Sequence, residues 1–413
     1  MNGFFEFFIS AFLFVGLFFE VFLLLTFFDA EAKRRRRTKP DGNFPTVAVI
    51  VPCYNEENTI ARTVESLLAL EYPKDKLKIV LVNDGSDDTT AQAISLYSSY
   101  ANIKIIHKKN GGKYTALNAG ILATESEFIA VLDADSFVSP EALKEIMAHF
   151  DHERVGAVIA ALSIWNPRSF LEKLQQAEYL LAIAFRHVLS AVNGLYVTPG
   201  TLSVFRRQVF EELGTFVLAH NSEDMEIAMR MQKAGWRIVN APHARVYTKA
   251  PGTLPKLVRQ RTRWMTGLMQ NGFDYRAMYG NPRYGALGML TLPFSTFAVV
   301  GIIVVSFLTV IQTGSWLSDF IRNALAVPFS FTFHVSSFSF DWFFLPLNTV
   351  VILGALAILI LFVRMCAGAI LSNTKPSVGM GIVWYVPFYG LIAPVWIIRA
   401  VADVALGIRR SWR

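Results

Sequence analysis

The sequence predicts an α/β domain, a mostly parallel sheet with helices on both faces, embedded between α-helical membrane segments. Three observations carry this. Apolar runs that do not alternate with polar residues recur between helix-like stretches through the middle of the chain. Three acidic clusters fall among them: Asn83-Asp84-Gly85-Ser86-Asp87-Asp88, Asp133-Ala134-Asp135 and Ser222-Glu223-Asp224. The apolar excess, 53% of 413 residues with a mean hydropathy of +0.39, sits at the two ends.

The run Phe4–Phe28 is long enough to span a ~30 Å hydrocarbon layer at ~1.5 Å per residue. The basic cluster Lys33-Arg34-Arg35-Arg36-Arg37 follows this run, which argues against a signal peptide. By the positive-inside rule it puts the N-terminus outside and the middle of the chain in the cytoplasm, at a cell membrane. Residues 1–32 are thus expected as a membrane helix and 33–45 as a basic linker. Glu20 lies inside the span, where a carboxyl needs a polar partner or a snorkelling path to water. Residues 283–413 are expected to hold two full spans, Leu287–Ile311 and Phe343–Val363. A third segment, Gly381–Ile398, carries Pro387 and Pro394 and is expected to be broken or re-entrant. A full crossing there would leave Arg399, Arg409, Arg410 and Arg413 outside. The Phe/Ser-rich stretch Asp319–Phe340 has no assignment.

Residues 46–250 read as the catalytic-type domain. Val47–Val51, Leu77–Val82, Ile103–Ile106 and Phe128–Leu132 are expected strands. Thr59–Leu70, Thr89–Tyr100 and Lys113–Ala123 are expected helices between them. Ligands of such sheets bind at the carboxyl ends of the strands, and Tyr54, Asp84 and Asp133 each stand just past one. Val155–Ala161 is a further strand, Phe170–Ser190 a long helix, and Met225–Ala234 a helix that starts just after Asp224. Residues 251–282 combine Lys256, Arg259, Arg261 and Arg263 with Leu257, Val258, Trp264 and Met265, the pattern of an amphipathic helix at a bilayer surface.

The net charge of +7 gathers near the membrane boundaries, which points to anionic lipid and diphosphate. No nucleic-acid motif accompanies it. Cys53 and Cys366 lie far apart and have no zinc-type spacing.

The acidic clusters define the chemistry. Asp133 and Asp135 after a buried strand suit a hard divalent ion, Mg or Mn, held by one or two carboxylates plus substrate phosphates. Asp84 can accept the N3–H of a uracil and Tyr54 can stack on it, although Asp87 and Asp88 could instead form a helix cap. Gly111-Gly112-Lys113 opens a helix and suits a phosphate, or is a plain turn. Glu223-Asp224 offers a base for an acceptor hydroxyl, with Glu223 raising the pKa of Asp224, or a complement to a helix dipole. Gln260-x-x-Arg263-Trp264 offers a diphosphate clamp and a sugar-stacking ring, or an interfacial anchor.

Together, Val51-Pro52-Cys53-Tyr54-Asn55-Glu56, Asn83-Asp84-Gly85-Ser86, Gly112-Lys113-x-x-Ala116-Leu117-Asn118, Asp133-x-Asp135, Glu223-Asp224 and Gln260-x-x-Arg263-Trp264 resemble the motifs of membrane-bound, family 2 inverting glycosyltransferases of the GT-A fold. Processive poly-N-acetylglucosamine, hyaluronan, chitin and cellulose synthases are the branch most similar. The resemblance covers about residues 45–280. It implies that Pro52, Tyr54, Glu56, Asp84, Lys113 and Asp133 bind the nucleotide-sugar, and that Asp135 holds the metal. It implies Asp224 as general base beside Glu223, with Gln260, Arg263 and Trp264 at the diphosphate and acceptor. Thr198 and Gly200 fall in a stretch similar to the acceptor side of these synthases. Ser222 stands where many relatives have Thr, and the short membrane region leaves room for a second copy or an accessory membrane subunit. The implied reaction moves a sugar from a UDP-sugar, first UDP-GlcNAc, to the hydroxyl of a growing β-linked polysaccharide coupled to export. The alternative is transfer of one sugar to a polyprenyl phosphate or glycerolipid. An inert α/β domain in a transporter or scaffold is the reading from another class.

Overall fold

The structure, a computed structural model, describes residues 2–34, 44–326, 348–373 and 380–408. The basic run beyond Arg34, most of the linker, the end of the Phe/Ser-rich stretch and Arg409, Arg410 and Arg413 lie outside the described residues. After α1 (Asn2–Arg34) the chain alternates β1 (Val47–Cys53), α2 (Ile60–Leu68), β2 (Leu77–Asn83), α3 (Thr90–Ser95), β3 (Ile103–His107), α4 (Lys113–Leu122) and β4 (Phe128–Leu132). It continues through β5 (Ser136–Val138), α5 (Ala142–Met147), β6 (Val155–Ile164), α6 (Phe170–Ala191), β7 (Thr201–Arg206), α7 (Arg207–Leu213), α8 (Glu223–Lys233) and β8 (Arg237–Thr248). Four helices follow: α9 (Leu254–Asp274), α10 (Leu292–Ala326), α11 (Thr349–Leu371) and α12 (Met380–Ala405).

Among the described residues these strands form one eight-stranded sheet in the order β3-β2-β1-β4-β7-β6-β8-β5. β1 through β4 pair in parallel, as the unalternating apolar runs require. Strand β1 shows why: Val47, Val49 and Val51 pack with Ile60, Val64 and Leu67 of α2, while Ala48 and Ile50 pack with Ala116, Leu117 and Ile121 of α4. Both faces are covered, and each fully buried aliphatic side chain contributes ~1.5–3 kcal/mol. The later half is mixed: β7 runs antiparallel to β4 and β6, and β5 antiparallel to β8, whereas β6 and β8 are parallel.

Helix α6 begins at a capping box in which Ser169 and Glu172 satisfy each other's backbone N–H. It is more than the domain helix expected. Leu174 packs with Tyr389, Trp396 and Ile397 of α12, Ala177 and Leu181 with Met365 of α11, and Val188 with Phe19 and Leu23 of α1. A Cβ added at Gly368 of α11 would lie 2.0 Å from the carbonyl oxygen of Leu180, so α11 sits directly on the α6 backbone. The seat of the apolar helices is therefore a helix of the α/β domain itself.

Four helical stretches, Glu6–Asp29, Leu287–Leu325, Thr349–Leu371 and Gly381–Ala405, are long and apolar enough to cross a bilayer. Two expectations change here. Pro387 and Pro394 lie inside one continuous helix, α12, and not at a break; the helix packs on α6 and α9. The apolar side of α9 is also covered, since Val258 and Met265 pack against Tyr389 and Trp396 of α12.

Glu20 has its partner: its carboxylate accepts from the Arg364 guanidinium of α11, which stands 5.7 Å from the Phe185 ring centroid. Arg364→Leu alone strands the carboxylate, and should destabilise the fold by ~3–5 kcal/mol. The double change Glu20→Leu with Arg364→Leu should recover most of that loss. Unfolding midpoints of the three proteins in detergent check this; a double variant no better than the single one would deny the pair its role.

Candidate active site

Because β2, β1 and β4 are adjacent and parallel, the loops after them open on one edge. Two of these loops are laced together. Asn55, held at a φ of +55°, donates its N–H to Ser86 Oγ (3.1 Å) and accepts from Asp87 N at Oδ1 (3.1 Å). Glu56 N donates to Thr90 Oγ1 at 2.7 Å. Asn83 Oδ1 accepts from both N and Oγ of Ser86. Asp88 accepts from Thr90 N at 2.9 Å, as the cap reading expects; desolvation raises its pKa, but hydrogen bonds from Thr90 and the backbone of Glu57 together outweigh that and lower it.

Asp84 is buried, and its carboxylate accepts from Gly111 N (3.1 Å), Gly112 N (2.9 Å) and Lys108 Nζ (2.5 Å). The two glycine N–H groups expected to be free for a phosphate are therefore taken by Asp84. Lys113 turns instead toward the acidic residues of the neighbouring elements, with Nζ 2.6 Å from Asp133 Oδ1 and 3.5 Å from Glu223 Oε1. Burial pulls the Lys113 pKa down, but Asp133, Glu223 and Asp224 outweigh it and hold the ammonium charged.

The path from β4 to β7 builds the floor. Asp133 N donates to Gly200 O at 2.8 Å. A Cβ on Gly200 would stand 2.6 Å from Asp133 Oδ1 and 2.7 Å from Lys113 Nζ, so a side chain there would have to displace the ends of that pair. Leu202, next in β7, carries a φ of +60° beside a register shift in the β4–β7 ladder, a strained backbone at the edge of the site.

Helix α8 begins two residues earlier than expected, so Glu223 and Asp224 both occupy its first turn, where the positive end of the dipole favours carboxylates. Thr198 donates both N (3.0 Å) and Oγ1 (2.8 Å) to the main-chain carbonyl of Asp224. Expected as an acceptor contact, Thr198 instead lies buried behind Asp224 and does not line the cavity. Burial, with Glu223 adding to it, pushes Asp224 up to about 6 against the pull of Lys113. Asp135 is likewise pushed up to about 6, by burial first and then by Asp133 and Glu56.

All these groups face one cavity of about 780 Å³. Pro52, Tyr54, Glu56 and Asp84 line one part, and Lys113, Asp133, Asp135 and Gly200 another. Glu223, Asp224, Gln260, Arg263 and Trp264 complete it, so every residue expected at the site except Thr198 is there. Trp396 of α12 also lines it, which carries the cavity to a helix long enough to cross a bilayer.

Sequence reasoning misses the side of the cavity made by α6. Glu178, Tyr179, Ala182 and Arg186 line it at helical spacing. Glu178 receives Arg261 in a two-pronged pair (Nε–Oε1 2.9 Å, Nη2–Oε2 2.6 Å) and the Tyr389 hydroxyl at 2.7 Å. Arg261 also donates to Gln260 Oε1 and stacks at 4.1 Å over Trp264. Gln260 and Trp264 are thus both held by the buried Arg261. The Arg-x-x-Trp spacing, one helical turn, is the signal that could have found it.

Among the described residues no three His, Cys, Asp or Glu side chains form a closed metal cage. A hard ion with phosphate ligands needs only one or two carboxylates. The donor set fits: Asp135 is pressed by two like charges and, among the described residues, makes no salt bridge.

The fold is that of the GT-A glycosyltransferase class, joined to apolar helices. Residues 45–267 match the family model described as glycosyltransferase like family 2, and the chain belongs to that family. The chain is 30% identical over 262 residues to poly-beta-1,6-N-acetyl-D-glucosamine synthase of Staphylococcus aureus, covering 62% of this chain and 63% of that one. It is 31% identical over 247 residues to beta-monoglucosyldiacylglycerol synthase of Trichormus variabilis, covering 59% and 53%. The matches thus span less than two thirds of the length of these relatives. In fold it is similar to the mannosyltransferase PcManGT of Pyrobaculum calidifontis, solved with GDP-Man and Mn2+ (TM-score 0.58, 20% identity, 97% of this chain and 99% of that one).

Proposed function

We propose that this protein transfers a sugar from a UDP-sugar, first UDP-GlcNAc, to the hydroxyl of a growing β-linked polysaccharide at the membrane, with inversion. The observation that carries the reading is the joining, in one cavity, of a buried base, a lysine–aspartate pair and an aromatic from an apolar helix. Tyr54 and Glu56 border the base and ribose, with Asp84 fixing the loop beside them. Asp224 takes the proton of the acceptor hydroxyl, and that oxygen attacks the anomeric carbon as the bond to the diphosphate breaks. Lys113 and Arg263 bind the diphosphate that leaves, and Trp264 borders the acceptor. Asp135, with Asp133 beside it, would hold Mg or Mn, which when bound supplies neutralising charge to the departing diphosphate. A cytoplasmic catalytic domain at the cell membrane, residues 46–250 with 251–282 beneath the helices, is the arrangement this chemistry needs.

The relative acting on diacylglycerol and the apolar wall made by Leu162, Leu268 and Trp396 support a second reading, single transfer to a lipid. Product sizing decides between them, with purified protein in lipid, labelled UDP-GlcNAc, and Mg or Mn. A water-soluble ladder establishes the polymer reading, one organic-extractable species the lipid reading, and no incorporation from any UDP-sugar rejects both.

Gly200→Ala tests the floor of the site. Its methyl must part Lys113 from Asp133, so kcat/KM should fall by about one to two orders of magnitude. Near wild-type turnover would mean the pair is not needed.

A further inference from the structure

We propose that Arg186 binds the acceptor, holding the sugar that bears the attacking hydroxyl beside Asp224; this rests on the transferase reading above. The guanidinium lines the catalytic cavity, yet among the described residues it makes no hydrogen bond or ion pair. Other cavity cations differ: Lys113 is paired with Asp133, and Arg261 with Glu178. A guanidinium carries five donors in a fixed fork, and leaving them unmet inside a protein is costly. Among the described residues no hydrogen bond meets them; they open on the cavity, where a substrate can take the place of water.

Position says which substrate. Arg186 stands on α6, two turns beyond Tyr179, and both line the cavity together with Tyr196 and Asp224. Burial draws its pKa down, and the groups that pull it back are Tyr179, Tyr196, Asp224 and Glu178. None of these is at the nucleotide end, where Tyr54, Glu56 and Asp84 stand. Asp224 is the group that must meet the acceptor hydroxyl. An arginine that lines the same cavity as Asp224 from helix α6, and not from the loops that carry Tyr54, Glu56 and Asp84, is placed to meet the ring and hydroxyl oxygens of the acceptor sugar. Tyr179 and Tyr196 flank it with the aromatic surfaces that sugar rings favour.

The experiment uses full-length protein in lipid vesicles with labelled UDP-GlcNAc and a soluble β-linked GlcNAc pentasaccharide as acceptor probe. Arg186→Gln should raise the acceptor KM at least about tenfold, as expected for lost hydrogen bonds to a charged donor. Donor KM, acceptor-free hydrolysis of UDP-GlcNAc and the acid limb of the pH profile should stay where they are in wild type. Arg186→Lys, which keeps charge without the fork, should fall between. An unchanged acceptor KM overturns the proposal. So does a donor KM that rises in parallel, which would make Arg186 a diphosphate ligand, or a shifted acid limb, which would make it a tuner of Asp224. Wild-type protein that makes no product overturns the transferase reading, and this inference with it; working wild type beside an unaffected Arg186→Gln overturns the inference alone.

Discussion

Asp224→Asn should lower sugar transfer by about three orders of magnitude while leaving UDP binding intact. The amide keeps the shape and can keep the hydrogen bond from Met225 N, but it cannot accept a proton. General-base catalysis is worth ~10²–10⁴-fold. Glu223 is adjacent in sequence, but it lies toward Lys113, which an acid–base role would have to release. The pH dependence follows from the same environment. Burial pushes Asp224 up to about 6, so the base is protonated and idle below that value and ionised above it. With divalent metal saturating, so that Asp135 stays ionised, wild-type transfer should therefore rise with pH through about 6 and then level, and the residual rate of Asp224→Asn should show no such limb. Transfer rates across pH, with UDP affinity measured by calorimetry on both proteins, check this. A variant that keeps turnover, or loses UDP binding in proportion, would remove Asp224 from the role of base.

The parallel half of the domain is legible because its signals are local. An apolar run buried on both faces, closed by Tyr54, Asp84 or Asp133, puts strand, strand end and site residue within a few positions of one another. What escapes depends on partners far away in the chain. Arg261 and Arg263 look alike on a basic helix. Only Glu178, 83 residues from Arg261, makes the first a buried structural cation. Arg186 reads as one polar residue among several on a mixed helix until α6 is seen to separate the sheet from α1, α11 and α12. Thr198 falls with the acceptor side by its neighbourhood in sequence, yet its hydroxyl points to the backbone of α8. The two prolines of α12 announce a break in isolation, and only the fold shows that none occurs. Glu20 needs a partner on sight, but a local pattern cannot name Arg364.

Asp135→Asn should separate stability from function. In the folded protein the Asp135 carboxyl is pushed from 3.8 up to about 6, by burial and then by Asp133 and Glu56. A raised carboxyl pKa means the folded state favours the protonated form. Ionisation therefore costs stability, beginning as the pH climbs past the unfolded value near 4 and fully present above about 6. At pH 7 without divalent metal, the neutral amide should stabilise the fold, by no more than about 1 kcal/mol, because Asp135 is exposed to the cavity and solvent screens its charge. The same change should abolish transfer, because the amide withdraws a carboxylate that no lysine or arginine among the described residues pairs. Added Mn2+ or Mg2+ supplies the missing counter-charge, so it should raise the unfolding midpoint of wild type and leave that of Asp135→Asn unmoved. Thermal unfolding of both proteins, with and without metal and UDP, reads this without reference to turnover. A metal-dependent shift of equal size in both would show that the ion is held elsewhere. A variant less stable than wild type in chelator would show that Asp135 contributes to the fold by its hydrogen bond with Ser136, 3.1 Å away, more than its charge strains it. The carboxylate that weakens the metal-free domain is then the one its chemistry needs, and the wild-type protein should be most stable with metal and nucleotide bound.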